Sequence, residues 1–439
     1  MGGSIFLICM VLVPVACAHL AAGTGLAAPI GIAGLVFLLT LLLFNDAFPF
    51  TGGGDDEDYY YASLESFTNF GDWFDTTQYE YHEQAGYPLL LSWVHQVSGD
   101  SLFHRKALNV FFMLVLAIVW FAIGKLIDGK RLAFVYAYGI LLATPLWYYW
   151  LFLLKDMAIT LLQSLFILGL IQFASGERRF RGYALIALST LALIPFRSIL
   201  AVFNLALVVA FTLLQGRSRT SGISFGTRLI LVASLVVGLW LLSVQPGMME
   251  TLGAKGEDRS LMLGGLQSLT ERAETERQQF SGNPLTFPIL FLVGETDALN
   301  PSNWGQFDLA LLRPLSMVPW IFLGLPFFLA GVATMLRRGG VRKMFASGMR
   351  HSDDNGTTED YSRRQTLCLR VLLIFIVGYV GIGWLSGTTT RWTLPAIPPM
   401  IGIAGFAWTN MNNHARVSLL TAFGFSLLAL IFLYYWMLK

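Results

Sequence analysis

The stretch that decides the fold is Gly-Gly-Gly-Asp-Asp-Glu-Asp-Tyr-Tyr-Tyr-Ala, residues 52–62, which directly follows a long apolar run. Consecutive acidic residues cannot lie in lipid, because a charged side chain at the bilayer centre costs roughly 2.5–3.5 kcal/mol on insertion scales. The cluster must therefore lie where a membrane span ends. The glycines before it permit a sharp turn, and the tyrosines after it suit the headgroup interface. We predict that this stretch forms the floor of an extracytoplasmic active site.

The composition extends this interpretation to the whole chain. Of 439 residues, 55% are hydrophobic and only 13% are charged, which is about half of the charged share of a soluble domain. We therefore predict an all-α polytopic membrane protein in which residues 1–439 form a single membrane domain. The cysteines lie in or beside apolar segments without metal-binding spacing, so they predict neither a disulfide framework nor a metal site.

The apolar runs predict about 12 transmembrane helices. The first two are separated only by an uncharged Gly-Thr-Gly, which predicts a tight helical hairpin. The first run could also be a signal peptide, because Ala16-Cys17-Ala18 resembles a cleavage site, but it lacks the positive region that precedes such a peptide. The predicted spans are residues 4–22, 28–45, 107–124, 132–153, 157–174, 183–196, 199–214, 229–245, 314–336, 371–386, 394–409 and 417–437.

The distribution of Lys and Arg predicts the orientation in the membrane. One alternating set of connections holds 18 of the 29 basic residues, and it includes a basic loop at 337–370 that we place in the cytoplasm. The acidic loop at 46–106 and a second loop at 246–313 are then extracytoplasmic, as are both termini. Within the first loop, the sequence from Gly86 to Trp93 predicts an amphipathic helix that lies along the membrane surface. We expect a multi-pass location in a bacterial inner membrane.

Isolated charges mark the outer ends of several predicted spans. Lys155 and Asp156 interrupt an apolar run, Arg197 lies in a turn too short to leave the bilayer, and Arg391 follows three threonines. Together with Asp55–Asp58 they offer carboxylates and cations to one aqueous pocket at the membrane surface. A structural explanation stays open for each, since the lysine and aspartate could pair with each other and the arginines could anchor the topology.

These residue types suit a sugar that is linked to a lipid phosphate. Arg and Lys side chains would neutralise the phosphate as it leaves, and a carboxylate would orient or deprotonate the acceptor hydroxyl. No cofactor is required, although a divalent cation (Mg or Mn) at the acid cluster is possible. The candidate catalytic residues are Asp55, Asp56 and Asp58, and the candidate substrate-binding residues are Tyr59, Glu83, Lys155, Asp156, Arg197 and Arg391.

Glu57-Asp58-Tyr59-Tyr60-Tyr61-Ala62 resembles the acidic motif of the GT-C fold glycosyltransferases, the class that includes protein O-mannosyltransferases and the aminoarabinose transferase of lipid A. Asp55-Asp56 with Tyr59 fits a shifted register of the same motif, so the catalytic acid stays open. The segments from Gly86 to Leu91 and from Arg391 to Pro399 are also similar to parts of this class. The resemblance implies transfer of a sugar or glycan from a polyprenyl-phosphate-linked donor to a glycan, lipid or protein acceptor on the extracytoplasmic side.

Three other functions stay open, one of which is an assembly or structural subunit whose function would not depend on the charge of the acid cluster. A polymerase of bacterial surface polysaccharides, such as O-antigen or exopolysaccharide, would use the same kind of donor. A 12-span transporter or flippase would belong to another class, but such proteins often have cytoplasmic termini and a central cytoplasmic loop. The predicted extracytoplasmic termini and the charges at outer span ends favour an enzyme, and nothing in the sequence indicates a nucleic-acid partner.

Overall fold

A computed structural model describes residues 2–50, 55–64, 86–175, 179–214, 315–346, 356–386 and 394–437. Over these ranges the chain is helical and contains no β-strand, which confirms the predicted all-α class. A π-helical turn at Trp320–Gly324 precedes α9. The α-helices are α1 (Gly2–Ala22), α2 (Thr24–Asn45), α3 (Asp55–Leu64), α4 (Gly86–Ser98), α5 (Leu102–Leu141), α6 (Thr144–Leu151), α7 (Asp156–Ser175), α8 (Arg179–Leu214), α9 (Leu325–Ala346), α10 (Gly356–Ser386), α11 (Ile397–Asn410) and α12 (Asn413–Met437).

Several helices are long and apolar enough to cross a membrane, so the chain is a multi-pass membrane protein. Among the described residues they number five, and shorter apolar helices occur at Leu200–Phe211 and Gln365–Gly381. The total of about 12 spans stays a prediction, because the predicted span at 229–245 lies outside the described ranges. The five helices are Gly2–Ala22, Thr24–Asn45, Leu102–Leu141, Asp156–Ser175 and Leu315–Leu336.

The predicted hairpin of the first two apolar runs is confirmed. Helices α1 and α2 are joined through Gly23, whose φ of 71° lies in the left-handed region that favours glycine. Gly34 of α2 lets the helices approach closely, since a Cβ there would lie 3.1 Å from Val11 of α1. Both helices also pack on α5, so the first apolar run is built into the fold.

Two long helices differ from the predicted boundaries because each contains a break. Helix α5 starts five residues before the predicted span at 107–124 and leaves helical geometry at Asp128 and Gly129. The chain folds back at these two residues, which brings Gly124 and Ala133 together. A Cβ on Gly124 would lie only 2.7 Å from the Ala133 backbone. Helix α8 likewise joins the predicted spans 183–196 and 199–214 through an extended residue, Arg197 (φ −169°, ψ 92°).

Other predicted boundaries shift for local reasons. The predicted span 132–153 ends at Leu141, because Pro145 starts the separate short helix α6. The basic segment 337–370 is more helical than expected, since α9 continues to Ala346 and α10 begins at Gly356. The predicted second extracytoplasmic loop at 246–313 lies outside the described residues. The sides of the membrane assigned to these segments stay predictions.

The packing of the helices brings four chain segments to one place. The acid-bearing helix α3 packs against α4, and α4 packs against α1, α5 and α8. Helix α7 packs against α5, α8 and α10. The predicted amphipathic helix is therefore present as α4, but its apolar face, including Tyr87, Leu89 and Leu91, is buried against protein. The start of α5, the start of α7 and the buried faces of α3 and α4 consequently border one another.

Candidate active site

Helix α3 turns one face of the acidic motif into the protein. Asp56, Tyr59 and Ser63 are 0%, 1% and 1% exposed, and their spacing of three and four residues places them on one face. Asp58 points outward and is exposed. Asp55 begins the helix, and its side chain lies outside what the structure describes. The helix geometry therefore distinguishes Asp56, which is buried, from Asp58, which is exposed, whereas the sequence motif alone does not show which acid is catalytic.

Two buried lysines accompany this carboxylate. Lys106, near the start of α5, is 1% exposed, and its ammonium donates a hydrogen bond of 3.1 Å to the Phe48 carbonyl. The charge of Asp56 acts on this ammonium. Lys155, directly before α7, is fully buried, and its Nζ lies 5.6 Å from the centre of the Tyr59 ring. The α3 face thus meets cations from two other segments.

Tyr87 of α4 lies within the electrostatic influence of both buried carboxylates of the site. Asp156 is 2% exposed, and the charges of Asp56 and Asp156 both act on the Tyr87 phenol. The pKa of Tyr87 is raised, mainly by burial and further by these carboxylates, so its hydroxyl stays protonated. Its ring contacts the Tyr59 ring edge-on, with centroids 5.5 Å apart.

Two acids and two lysines therefore form one buried charged cluster, which we define as Asp56, Lys106, Lys155 and Asp156. Removing an ion from water costs several kcal/mol even after relaxation of the protein. Opposite charges offset part of this cost, and the formal charges of the four residues cancel. A cluster of this kind is a common feature of functional sites, because burial is expensive for a purely structural purpose.

Asn109 of α5 holds the chain segment that carries Lys155. Its amide donates hydrogen bonds to the carbonyls of Phe152 at 2.7 Å and Leu154 at 3.1 Å, with a longer contact of 3.3 Å to Tyr149. Its own oxygen accepts a bond of 3.0 Å from the Tyr87 hydroxyl. A single buried amide thus fixes α4, α5 and the turn before α7 relative to one another.

The start of α7 presents two charged residues to the cluster. The Lys155 carbonyl accepts the first hydrogen bond of the helix, from the Ile159 amide at 3.0 Å. Asp156 lies in the first turn, where the helix dipole stabilises a negative charge. This local geometry explains why an apolar sequence is interrupted by Lys-Asp at this point.

Arg197 approaches the same region from α8. It is partly buried and lies at the break in the helix. The charges of Arg197 and Asp156 both act on the Tyr379 phenol of α10, so the structure brings these two predicted residues to a common neighbour. Glu83 and Arg391, the other predicted substrate-binding residues, lie outside the described ranges.

A second network holds the outer side of α3. The Tyr60 hydroxyl donates to Asp100 at 3.1 Å, and Arg105 forms an ion pair with Asp100 at 3.0 Å. The other guanidinium nitrogen of Arg105 lies 2.9 Å from Nδ1 of His95. Burial acts to raise the pKa of Asp100, but the hydrogen bonds from Arg105 and Tyr60 outweigh it and lower the pKa below its usual value of 3.8.

We expect this network to lose its contribution to stability only in acid. A carboxyl group whose pKa is lowered by folding stabilises the protein above its unfolded pKa, and the contribution disappears as the pH falls through the folded value. The thermal midpoint of Asp100→Asn should therefore lie about one or two degrees below that of the parent from pH 8 to 5, and the difference should begin to shrink as the pH falls below 3.8 and vanish below the folded pKa. A difference that does not shrink below pH 3.8 would contradict this account.

The possible divalent cation at the acid cluster remains a prediction. Over the described residues, no group of three or more His, Cys, Asp or Glu side chains is placed to hold a metal ion. Asp56 and Asp156 both border Tyr87, but two carboxylates alone do not complete a coordination sphere.

Sequence reasoning missed three members of the site. Lys106 directly precedes the predicted span 107–124. It is a charge at the end of a span, which is the criterion that identifies Lys155. Asn109 is a neutral polar residue inside an apolar run, where such side chains commonly form hydrogen bonds between helices. The sequence places Tyr87 on a surface helix, and nothing in the sequence indicates that its hydroxyl is buried.

Comparison with known proteins finds a structural relative but no match by sequence. No protein-family model matches the sequence, and a search of curated proteins finds no match. The fold is similar to that of ArnT from Cupriavidus metallidurans, whose crystal structure contains undecaprenyl phosphate, with a TM-score of 0.54 and 15% sequence identity. The match covers 90% of this chain but 62% of ArnT, so this chain spans less than two thirds of its relative. At this identity the likeness shows the fold alone, and it confirms the predicted GT-C fold.

Proposed function

We propose that this protein is an integral membrane glycosyltransferase. It transfers a sugar or glycan from a polyprenyl-phosphate-linked donor to a glycan, lipid or protein acceptor on the extracytoplasmic side of a bacterial inner membrane. The observation that carries the proposal is the buried charged cluster, in which α3, α5 and the start of α7 present carboxylates and ammonium groups to one another. The GT-C fold supports it.

Lys106 and Lys155 suit the phosphate of the donor. Both ammonium groups are buried, and a charge in a water-poor site interacts more strongly with an anion than it does in water. As the sugar–phosphate bond breaks, negative charge develops on the leaving phosphate, and fixed cations stabilise that charge. Arg197, which borders the same region through Tyr379, can take part in this role.

Asp56 suits the acceptor. A carboxylate within reach of the acceptor hydroxyl orients it and accepts its proton as it attacks the anomeric carbon. Of the predicted catalytic acids whose side chains are described, Asp56 lies in the buried charged cluster and Asp58 is exposed. We therefore assign the base to Asp56, with Tyr59 beside it on the same helical face.

The fold relative supports the kind of donor, because ArnT was crystallised with undecaprenyl phosphate. A surface-polysaccharide polymerase would use a donor of the same kind and differs in its acceptor. A transporter or flippase would bind the lipid without breaking the bond to the sugar. Binding of the lipid phosphate and transfer of the sugar are therefore separate experimental questions.

The proposal can be tested by lipid binding to the full-length protein in detergent. We expect undecaprenyl phosphate to bind more tightly than undecaprenol, and we expect Lys155→Gln and Lys106→Gln each to reduce this preference about tenfold, since a charged hydrogen bond contributes about 1.5–3 kcal/mol. The matched control is Lys125→Gln, an exposed lysine on the same helix α5, which should leave the preference unchanged. Equal binding of the two lipids by the parent protein would refute the proposed donor.

A further inference from the structure

Two neutral polar side chains are buried beneath the charged cluster. Gln163 of α7 is fully buried, and within the described ranges neither its amide nitrogen nor its amide oxygen has a hydrogen-bond partner. The hydroxyl of Tyr379 on α10, 1% exposed, also has none among the residues that the structure describes. An unsatisfied buried polar group costs about as much as a lost hydrogen bond, so three such atoms together need an explanation.

Gln163 and Tyr379 face each other across the contact between α7 and α10. The Gln163 amide lies near enough to the Tyr379 hydroxyl to act on it, although the two groups do not meet hydrogen-bond geometry. Aromatic packing fixes the Tyr379 ring, since the Phe203 ring meets it edge-on with centroids 5.0 Å apart. The polar atoms are therefore held close together without being bonded to each other.

The same pair borders the candidate active site. The charges of Asp156 and Arg197 act on the Tyr379 phenol. Gln163 follows Asp156 by seven residues and lies on the same face of α7, about 10 Å further along the helix. The group attached to a phosphate in the charged cluster would have to extend about 10 Å along α7 to meet this pair.

We propose that Gln163 and Tyr379 form the subsite for the donor sugar and hydrogen-bond its hydroxyl groups. This inference rests on the proposed function. An amide donates and accepts, as does a phenol, and the hydroxyl groups of a sugar need both kinds of partner. A lipid tail would leave the polar atoms unsatisfied, and a second phosphate would be served better by cations. The binding of a sugar satisfies the pair and gives specificity, because a site built to hydrogen-bond a hydroxyl rejects a ligand without one.

The test compares lipids with and without a sugar. The probes are undecaprenyl phosphate and undecaprenyl phosphoryl-glucose, -mannose and -arabinose, with the full-length protein in detergent. We expect the parent to bind at least one of the sugar-bearing lipids about tenfold more tightly than undecaprenyl phosphate. Gln163→Leu and Tyr379→Phe should each remove most of this gain and leave the affinity for undecaprenyl phosphate within twofold of the parent.

Matched controls separate a specific effect from a loss of packing. Tyr136→Phe removes another buried hydroxyl, on α5, and Gln172→Leu replaces a second glutamine of α7. In the described part of the chain, neither the Tyr136 hydroxyl nor the Gln172 amide oxygen has a hydrogen-bond partner. Both should keep the sugar-dependent gain. A parent that binds undecaprenyl phosphate but gains nothing from any of the three sugars would overturn the subsite and leave the proposed donor class standing. A gain that survives in Gln163→Leu and Tyr379→Phe would also overturn it.

Discussion

Asp56→Asn is expected to lower sugar transfer by about 100- to 10,000-fold, the usual contribution of a general base. Asparagine keeps the size of the side chain but cannot accept the proton of the acceptor hydroxyl. The effect should appear in the rate of transfer, with little change in the binding of undecaprenyl phosphate, because the lysines hold the phosphate. The measurement is surface glycan per cell in a strain that depends on the variant, with protein level determined in the same membranes.

Asp58→Asn is the matched control, since Asp58 belongs to the same helical turn but is exposed. It should keep transfer within about twofold of the parent, as surface substitutions usually do. Asp55→Asn tests which aspartate of the motif is the general base. If Asp55→Asn loses transfer and Asp56→Asn keeps normal transfer, the general base is Asp55. Normal transfer in all three variants would leave the acidic motif without a catalytic role.

Asn109→Leu is expected to destabilise the protein strongly. It removes the hydrogen bonds from the Asn109 amide to the carbonyls of Phe152 and Leu154 and the bond that the Tyr87 hydroxyl donates. The Phe152 carbonyl keeps the bond from the Leu154 amide at 2.9 Å. At roughly 1 kcal/mol for each of these bonds in a membrane protein, the free energy of unfolding should fall by about 3 kcal/mol. Unfolding by a denaturing detergent, followed by circular dichroism, measures this change.

Tyr87→Phe provides the comparison for this prediction. It removes only the bond to the Asn109 oxygen and should cost about 1 kcal/mol. Because Asn109 positions the turn before Lys155, its loss should also weaken the binding of undecaprenyl phosphate, whereas Tyr87→Phe should change binding little. A cost for Asn109→Leu no greater than that for Tyr87→Phe would show that the turn holds its geometry without the amide.

The fold class could be predicted from the sequence because lipid restricts what a chain can do. Long apolar runs in a membrane must be helical to satisfy their backbone groups, and charges mark their ends. The breaks within α5 and α8 were harder to locate. At Asp128 and Gly129 the chain reverses with almost no loop, and Arg197 interrupts α8 through a single extended residue. Hydropathy averaged over a window cannot resolve turns of one or two residues.

The candidate site could be predicted only in part, for a similar reason. Lys155 and Asp156 interrupt an apolar run, and Asp56 belongs to the acidic stretch that follows one, so all three are visible as charges. Asn109 and Tyr87 act through tertiary contacts between residues 22 apart in the chain. Neutral polar side chains also occur in membrane helices without function, so sequence alone does not single them out. The side of α3 that is buried follows from packing against α4, which the acidic motif by itself does not reveal.

The order of the site residues along the chain has a consequence for biosynthesis. All four members of the charged cluster lie before residue 157, whereas Tyr379 follows more than 200 residues later. At about 5–20 residues per second, the ribosome needs on the order of ten seconds or more to make the intervening chain. The carboxylates and ammonium groups therefore enter the membrane as a set whose charges cancel, before the helix that carries Tyr379 exists. A nascent chain that lacked one lysine would present an uncompensated carboxylate to the insertion machinery throughout that interval.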